Sequence, residues 1–147
     1  MRVWCVTTSP DNFERTAERG WSVQGIKARR RKTAEQLAPG DKLVYYITQH
    51  AAFGATVEVT SEHFEDHELI WTSKPGEDYP WRVEIAPEVT VTDPEAWVPA
   101  EELYDDLEFV KKWPPENWKL AFQGNIREWP ERDYEVVRAA LEEAAGS

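Results

Sequence analysis

Two segments constrain the fold more than any others: residues 42–48 (KLVYYIT) and 53–60 (FGATVEVT), strand patterns joined by a loop of hairpin length. In the second, Ala55, Val57 and Val59 share one face while Thr56, Glu58 and Thr60 share the other. Residues 2–7 (RVWCVT) and 79–86 (YPWRVEIA) read as further strands, and 69–71 and 89–92 as short ones. Five or six such strands in 147 residues cannot bury both faces of a wide open sheet. A small curled sheet or partly closed barrel, with helices over its ends, is the economical solution. The strands do not alternate regularly with helices, which argues against a doubly wound fold. The expected class is α+β, one domain over residues 1–147, without repeat, low-complexity tract or linker.

Ser9-Pro10-Asp11 supplies an N-cap, a proline in the first turn and an acid for the helix dipole; Phe13 and Ala17 are its apolar pair, and Gly20 its stop. Residues 21–27 are irregular, and Gly25 permits close backbone approach. A basic helix over 28–37 ends at Pro39-Gly40-Asp41. Helices are expected over 100–107 and 108–113, before Pro114-Pro115, and residues 118–123 read as strand or extended chain. A closing helix follows Pro130, with Val136, Val137, Ala140, Leu141 and Ala144 as its stripe.

The formal net charge of −11 argues at first against a nucleic-acid partner. Its distribution reverses that conclusion. Residues 1–75 hold ten basic and ten acidic side chains, whereas 76–147 hold seven against eighteen. Within the neutral half, Lys27, Arg29, Arg30, Arg31 and Lys32 crowd the expected helix N-terminus, where the dipole disfavours cations by roughly 0.3–1 kcal/mol each. Such a placement points to a bound anion, with phosphate the obvious one.

Walker, Gly-x-Gly-x-x-Gly, Gly-x-Ser-x-Gly and His-Glu-x-x-His motifs are all missing from the sequence. His63 and His67 have a spacing that suits metal on a helix, but Glu65, Asp66 and Glu68 around them read as a solvated loop, so no metal or cofactor is expected. The lone Cys5 excludes an internal disulfide and reads as a small buried hydrophobe; with no membrane-length apolar run and no signal-peptide pattern, the expected location is the cytoplasm. Eight tryptophans are the sharper signal. Trp4, Trp97, Trp113, Trp118 and Trp129 read as packing, whereas Trp21 stands at the mouth of a glycine-containing loop. Aromatic walls with amides and a basic rim suit a flat, polar-edged heterocycle such as a nucleobase.

Residues 21–32 (WSVQGIKARRRK), Pro39-Gly40-Asp41-Lys42, the strand 43–48, Phe53-Gly54-Ala55 and the closing stretch 120–127 (LAFQGNIR) together resemble an EVE domain, a member of the PUA-like superfamily related to YTH, ASCH and PUA modules. The resemblance covers nearly the whole chain and is similar to the small stand-alone bacterial EVE proteins. It implies a PUA-like β-pseudobarrel of five to six strands with peripheral helices, and a pocket for a modified base flipped out of DNA or presented by RNA. Carried over, the pocket comprises Trp21, Gln24, Gly25, Ile26, Lys27, Tyr46, Thr48, Phe53 and Gly54. The strand pattern adds Trp81. Many EVE domains have Gly-Val-Arg-Asn where this chain has Gly25-Ile26-Lys27-Ala28, so Lys27 keeps the charge without the bidentate fork.

The expected phosphate contacts are Lys27, Arg29, Arg30, Arg31, Lys32 and Arg82. The first expectation is a module that reads a modified nucleobase, such as a flipped-out modified cytosine in DNA, and does no chemistry on it. A stand-alone reader of this kind leaves any cutting to a partner nuclease or other effector. The alternatives are an ASCH-like nuclease or base-processing enzyme, with Asp41 or His50 as the only nearby general bases, and a sensor of free nucleosides or other small molecules.

Overall fold

The computed structural model describes residues 1–146. Its strands are β1 (Val3–Thr8), β2 (Val23–Ile26), β3 (Lys42–Ile47), β4 (Ala52–Val59), β5 (Phe64–Glu65), β6 (Trp81–Thr90), β7 (Val98–Pro99) and β8 (Ile126–Trp129). They form one curled sheet in the order β2-β6-β4-β3-β1-β8, with β5 added beside β6 and β7 beside β4. Among the described residues only the β1–β3 pairing is parallel. The six-stranded path agrees with the expected half-closed barrel, and β2 and β8 are its two unpaired ends. Around it stand the α-helices α1 (Pro10–Glu18), α2 (Arg31–Ala34), α3 (Ala100–Leu103) and α4 (Glu131–Gly146). Among the described residues no helix is long and apolar enough to cross a membrane.

Two irregularities bend the sheet. Between the pairs Tyr45↔Ala55 and Tyr46↔Phe53 the register slips, which leaves Gly54 as the extra residue of β4. Its carbonyl accepts the Val91 amide at 2.9 Å, and a Cβ there would stand 2.7 Å from both the Phe13 ring and Ile47 Cδ1. The second slip falls between Thr56↔Val89 and Val57↔Pro87 and leaves Glu88 bulged. This bulge carries the strand past Pro87, so the segments expected as separate strands run together as β6. It also turns the Glu88 carboxylate toward Lys42 Nζ at 2.5 Å and the Tyr134 hydroxyl at 2.7 Å, which ties α4 to the sheet.

Helix α1 starts as expected: Ser9 caps it, accepting the Asn12 amide at 3.2 Å. The basic segment departs from expectation. It forms a 3-10 turn over Ala28–Arg30 and then the single turn of α2, so there is almost no dipole for the cations to oppose. Two other helices are shortened, to α3 and a 3-10 turn over Phe109–Lys112, while residues 118–122 belong to a 3-10 helix, Pro115–Phe122, and Gln123 is extended after it. Buried Asp133 organises this region by accepting the Glu108 and Phe109 amides, each at 2.8 Å. Residues 69–71 are loop, not strand.

Trp4, Trp97 and Trp129 are core, and Trp113 and Trp118 pack against it half-buried. Cys5 is buried, which pushes its thiol pKa up and makes it a poor nucleophile. Replacing Gly54 with alanine drives a methyl into Phe13 and Ile47. The expected loss in a urea unfolding experiment is about 1–3 kcal/mol; an unchanged midpoint would show that this bulge is not close-packed.

Candidate functional site

A cavity of about 560 Å³ opens where the two ends of the sheet approach each other. Its walls come from the end of β1 and the start of α1 (Thr8, Asp11, Asn12), from β2 and the turn after it (Gln24, Lys27, Arg29), and from two loops that carry Trp71 with Tyr79 and Phe122 with Asn125. Asn125 is the hinge of this arrangement. Its side-chain oxygen accepts the Lys27 amide at 2.9 Å and its carbonyl accepts the Thr7 amide at 3.0 Å, so one residue joins the segment after β2 to β1.

The inner wall exists because residue 25 is glycine. A Cβ there would fall 2.4 Å from the Trp71 ring and 2.8 Å from Tyr79 Cβ, so only a bare backbone lets both aromatics lie against β2. Trp71 is 1% exposed; its indole N–H donates to the Thr16 hydroxyl at 2.8 Å and the Arg82 guanidinium lies 5.1 Å over its ring. Gln24, buried beside it, accepts the Tyr45 hydroxyl at 2.6 Å and donates to the Gly25 carbonyl at 2.7 Å. One Nε2 hydrogen of Gln24 stays uncommitted. Phe122 closes the opposite side, stacked on Tyr46 at 3.9 Å.

Several ties fix the Trp71–Tyr79 loop. Arg82 donates to the Tyr79 carbonyl at 3.1 Å, to the Asp78 carbonyl at 3.2 Å and to the Glu68 carbonyl. Asn12 pairs with the Thr72 backbone in both directions, at 2.9 and 3.0 Å. Glu77 accepts the Ala28 amide at 3.2 Å and its own loop's Tyr79 amide at 3.1 Å. His67 sits between Asp78 at 2.5 Å and Glu65 at 2.6 Å, contacts that raise its pKa above the ordinary 6.5.

Of the residues expected at the pocket, Gln24, Lys27 and Thr48 line the cavity and Gly25 underlies it. Trp21 is elsewhere. Gly20 and Trp21 have φ of +70° and +56°, and after this reversal the indole is 6% exposed, edge-on to Phe13 at 5.1 Å and Tyr45 at 5.6 Å. The expected hollow beside Trp21 is therefore core, and Trp71 and Tyr79 are the aromatics at the cavity. Ile26, Phe53 and Gly54 are buried in the sheet, and Tyr46 lies behind Phe122. Trp81 stands outside the cavity, donating to the Ala28 carbonyl at 2.9 Å under the Arg31 guanidinium.

Of the expected phosphate contacts, Lys27 and Arg29 line the cavity. Burial first, then the charge of Arg29, lowers the Lys27 pKa. Arg29, Arg31 and Lys32 are exposed, while Arg30 lies against Gly124, where its Nη2 would stand 2.8 Å from a Cβ. Arg82 is 1% exposed and given over to the loop carbonyls, which places it behind the cavity rather than on its rim. The two candidate bases are also elsewhere. Asp41 is buried and accepts Trp4 Nε1 and the Arg2 and Ala38 amides; His50 packs edge-on against Trp97 beside a different cavity. The sequence reading missed Trp71, Tyr79, Phe122 and Asn12. The available signal was a glycine inside a strand, which announces that something lies on it without saying what.

A family model described as the EVE domain matches residues 2–138. A UPF0310 protein of Pyrococcus abyssi is 32% identical over 151 residues, an alignment spanning 96% of this chain and 100% of that one. Two solved structures share the fold at low identity. Human THYN1 in complex with 5-methylcytosine containing DNA is 15% identical, with a TM-score of 0.62 over 97% of this chain and 98% of its own. The YTH domain of Zygosaccharomyces rouxii MRB1 in complex with N6-methyladenosine RNA is 15% identical, with a TM-score of 0.65 over 95% and 86%.

Because Trp21 is core, Trp21→Ala is expected to cost about 3–5 kcal/mol in denaturant unfolding, the range for deleting a buried aromatic. A loss below 1 kcal/mol would contradict this placement. The His67 pairs are expected to act fully below about pH 6.5 and to fade as pH rises through the raised folded value. An NMR titration of the His67 ring should give a midpoint above 6.5, and Asp78→Asn with Glu65→Gln should bring it back; a midpoint at or below 6.5 in the unaltered protein would remove the clasp.

Proposed function

The chain belongs to the EVE domain family, and from that premise we propose that it binds nucleic acid by accepting one modified nucleobase into the cavity between β1, β2 and the Trp71 and Phe122 loops. The observation that carries this reading is the cavity's composition: an inner wall of Gln24, Trp71 and Tyr79, Phe122 across from it, and Lys27 and Arg29 beside them. The inner wall offers apolar contact to a planar heterocycle, and Gln24 offers an amide hydrogen to its edge. Full stacking on an aromatic face is worth roughly 1–3 kcal/mol per base, an upper bound for rings as deeply buried as these. Lys27 and Arg29, with Arg31 and Lys32 next to them, supply positive charge for the adjoining phosphates.

A flipped-out modified cytosine in DNA is the form we favour, and the THYN1 complex with 5-methylcytosine containing DNA supports it; the YTH complex with N6-methyladenosine RNA supports base reading of the broader kind. Selectivity for the mark must come from the cavity wall. A buried methyl contributes only about 0.8 kcal/mol, whereas a polar wall group stripped of water and left unpaired costs about 1–3 kcal/mol. Base binding is taken to be the whole activity, and any strand cutting falls to a partner.

The direct test is a titration of intrinsic tryptophan fluorescence with duplexes carrying a modified or plain cytosine, and with the free nucleosides, at two salt concentrations. Tighter binding of the modified duplex, weakening as salt rises, is the expected result. Equal affinity for modified and plain duplexes would overturn the reading, binding of nucleosides alone would make the protein a sensor, and strand scission would make it an enzyme. Arg29→Glu should weaken all duplexes alike, by roughly tenfold, and reduce the slope of log affinity against log salt by about one. An unaltered slope would take Arg29 off the interface.

A further inference from the structure

We propose that the mark this cavity reads is a hydroxyl-bearing substituent larger than a methyl group, of the glycosyl type, on the bound base. This rests on the base-reading function above and specifies its ligand.

Much of the remaining cavity lining is polar and largely unused by the fold. Among the described residues, the side chains of Asp11, Thr48, Ser73 and Gln123 line the cavity and make no internal hydrogen bond. Thr72 accepts Arg15 Nη1 at 2.7 Å and keeps its own hydroxyl hydrogen to give, and Asn12 has one amide hydrogen beyond its bond to the Thr72 carbonyl. Together they offer a carboxylate that can only accept, hydroxyls that give or accept, and amide donors. A substituent bearing several hydroxyls answers all three kinds at once.

A methyl group answers none of them. Its burial is worth about fourfold in affinity, and each polar group it strips of water works against that gain. Size argues in the same direction. The cavity's roughly 560 Å³ falls within the range of about 300–1,000 Å³ that takes drug-sized molecules. A flat base with one methyl leaves much of it unfilled. The Asp11 carboxylate also repels phosphate, which assigns the anionic backbone to the side of Lys27 and Arg29 and the substituent to the side of Asp11.

The test uses one duplex with cytosine, 5-methylcytosine, 5-hydroxymethylcytosine or glucosylated 5-hydroxymethylcytosine at a single position. Binding of the glucosylated duplex at least tenfold tighter than the methylated one is expected, with the hydroxymethylated duplex between them. Asp11→Asn and Thr48→Val should each narrow that ratio at least threefold, while Glu14→Gln, on the same helix outside the cavity wall, should leave it unchanged. Thermal melts establish that each variant is folded. A methylated duplex that binds as tightly as the glucosylated one overturns the substituent assignment and leaves base reading standing. If none of the three modified duplexes binds more tightly than the plain cytosine duplex, base reading itself fails and the assignment falls with it.

Discussion

The sheet's open seam sets the terms for everything built around it. β2 and β8 end the strand order without pairing to each other, so no backbone ladder closes the barrel. Asn125 supplies a substitute through one side-chain and one backbone acceptor, the first for the Lys27 amide and the second for the Thr7 amide. A closed ladder would seal this end of the barrel, and the cavity would have no place to form. The side-chain tie holds the two margins a short distance apart and leaves the space between them walled by loops. Thr7 reinforces it by donating its hydroxyl to the Phe122 carbonyl at 2.7 Å, which fixes the loop that carries the aromatic floor.

The aromatic loop depends on the same seam through a different device. Arg82 is a buried cation whose guanidinium serves several backbone carbonyls, with Asp66 at 3.5 Å as its ion partner. Leaving those carbonyls unpaired would cost more than the bonds themselves return, so the loop is held to one geometry rather than merely attracted to it. Tyr79 keeps a left-handed φ of +51°, uncommon for a tyrosine, and the carbonyl it presents is one that Arg82 holds. Gly25 completes the arrangement from below, since Trp71 can reach Thr16 only by crossing a backbone with no side chain.

What the sequence made legible follows a physical boundary. Period-two alternation and caps are local, and they located β3, β4, α1 and α4 along with the half-closed architecture. Pro87 and Glu88 obscured the continuity of β6, because a bulge that absorbs a proline is a property of two paired strands rather than of one. The site divides in the same way. Gln24, Lys27 and Thr48 are close to the glycine signal or on a recognisable strand, and they line the cavity. Trp21 and Trp71 look equally available in the sequence. Which indole enters the core and which meets the cavity depends on the left-handed turn after α1 and on contacts 40 or more residues away in sequence, such as Thr16 with Trp71 at a separation of 55.

The charge asymmetry bears on how a polyanion would approach. Only part of the second half's eighteen acids stands near the cavity: Glu77 and Asp78 belong to its Trp71–Tyr79 loop, whereas those of α4 lie on a helix that packs against β3, β4, β6 and β7. At about 0.1 M salt the screening length is about 10 Å, so an exposed charge farther than that from a bound phosphate contributes little. The turn after β2 is locally cationic from Lys27 to Lys32, with Glu77 beside it engaged by the Ala28 and Tyr79 amides and Asp78 by His67. Lowering the salt lengthens the screening distance and brings the distant acids into play, so their repulsion grows along with the attraction of the basic turn. Net charge is therefore a poor guide to the partner of this fold, and the few cations at the seam decide where an anion can come to rest.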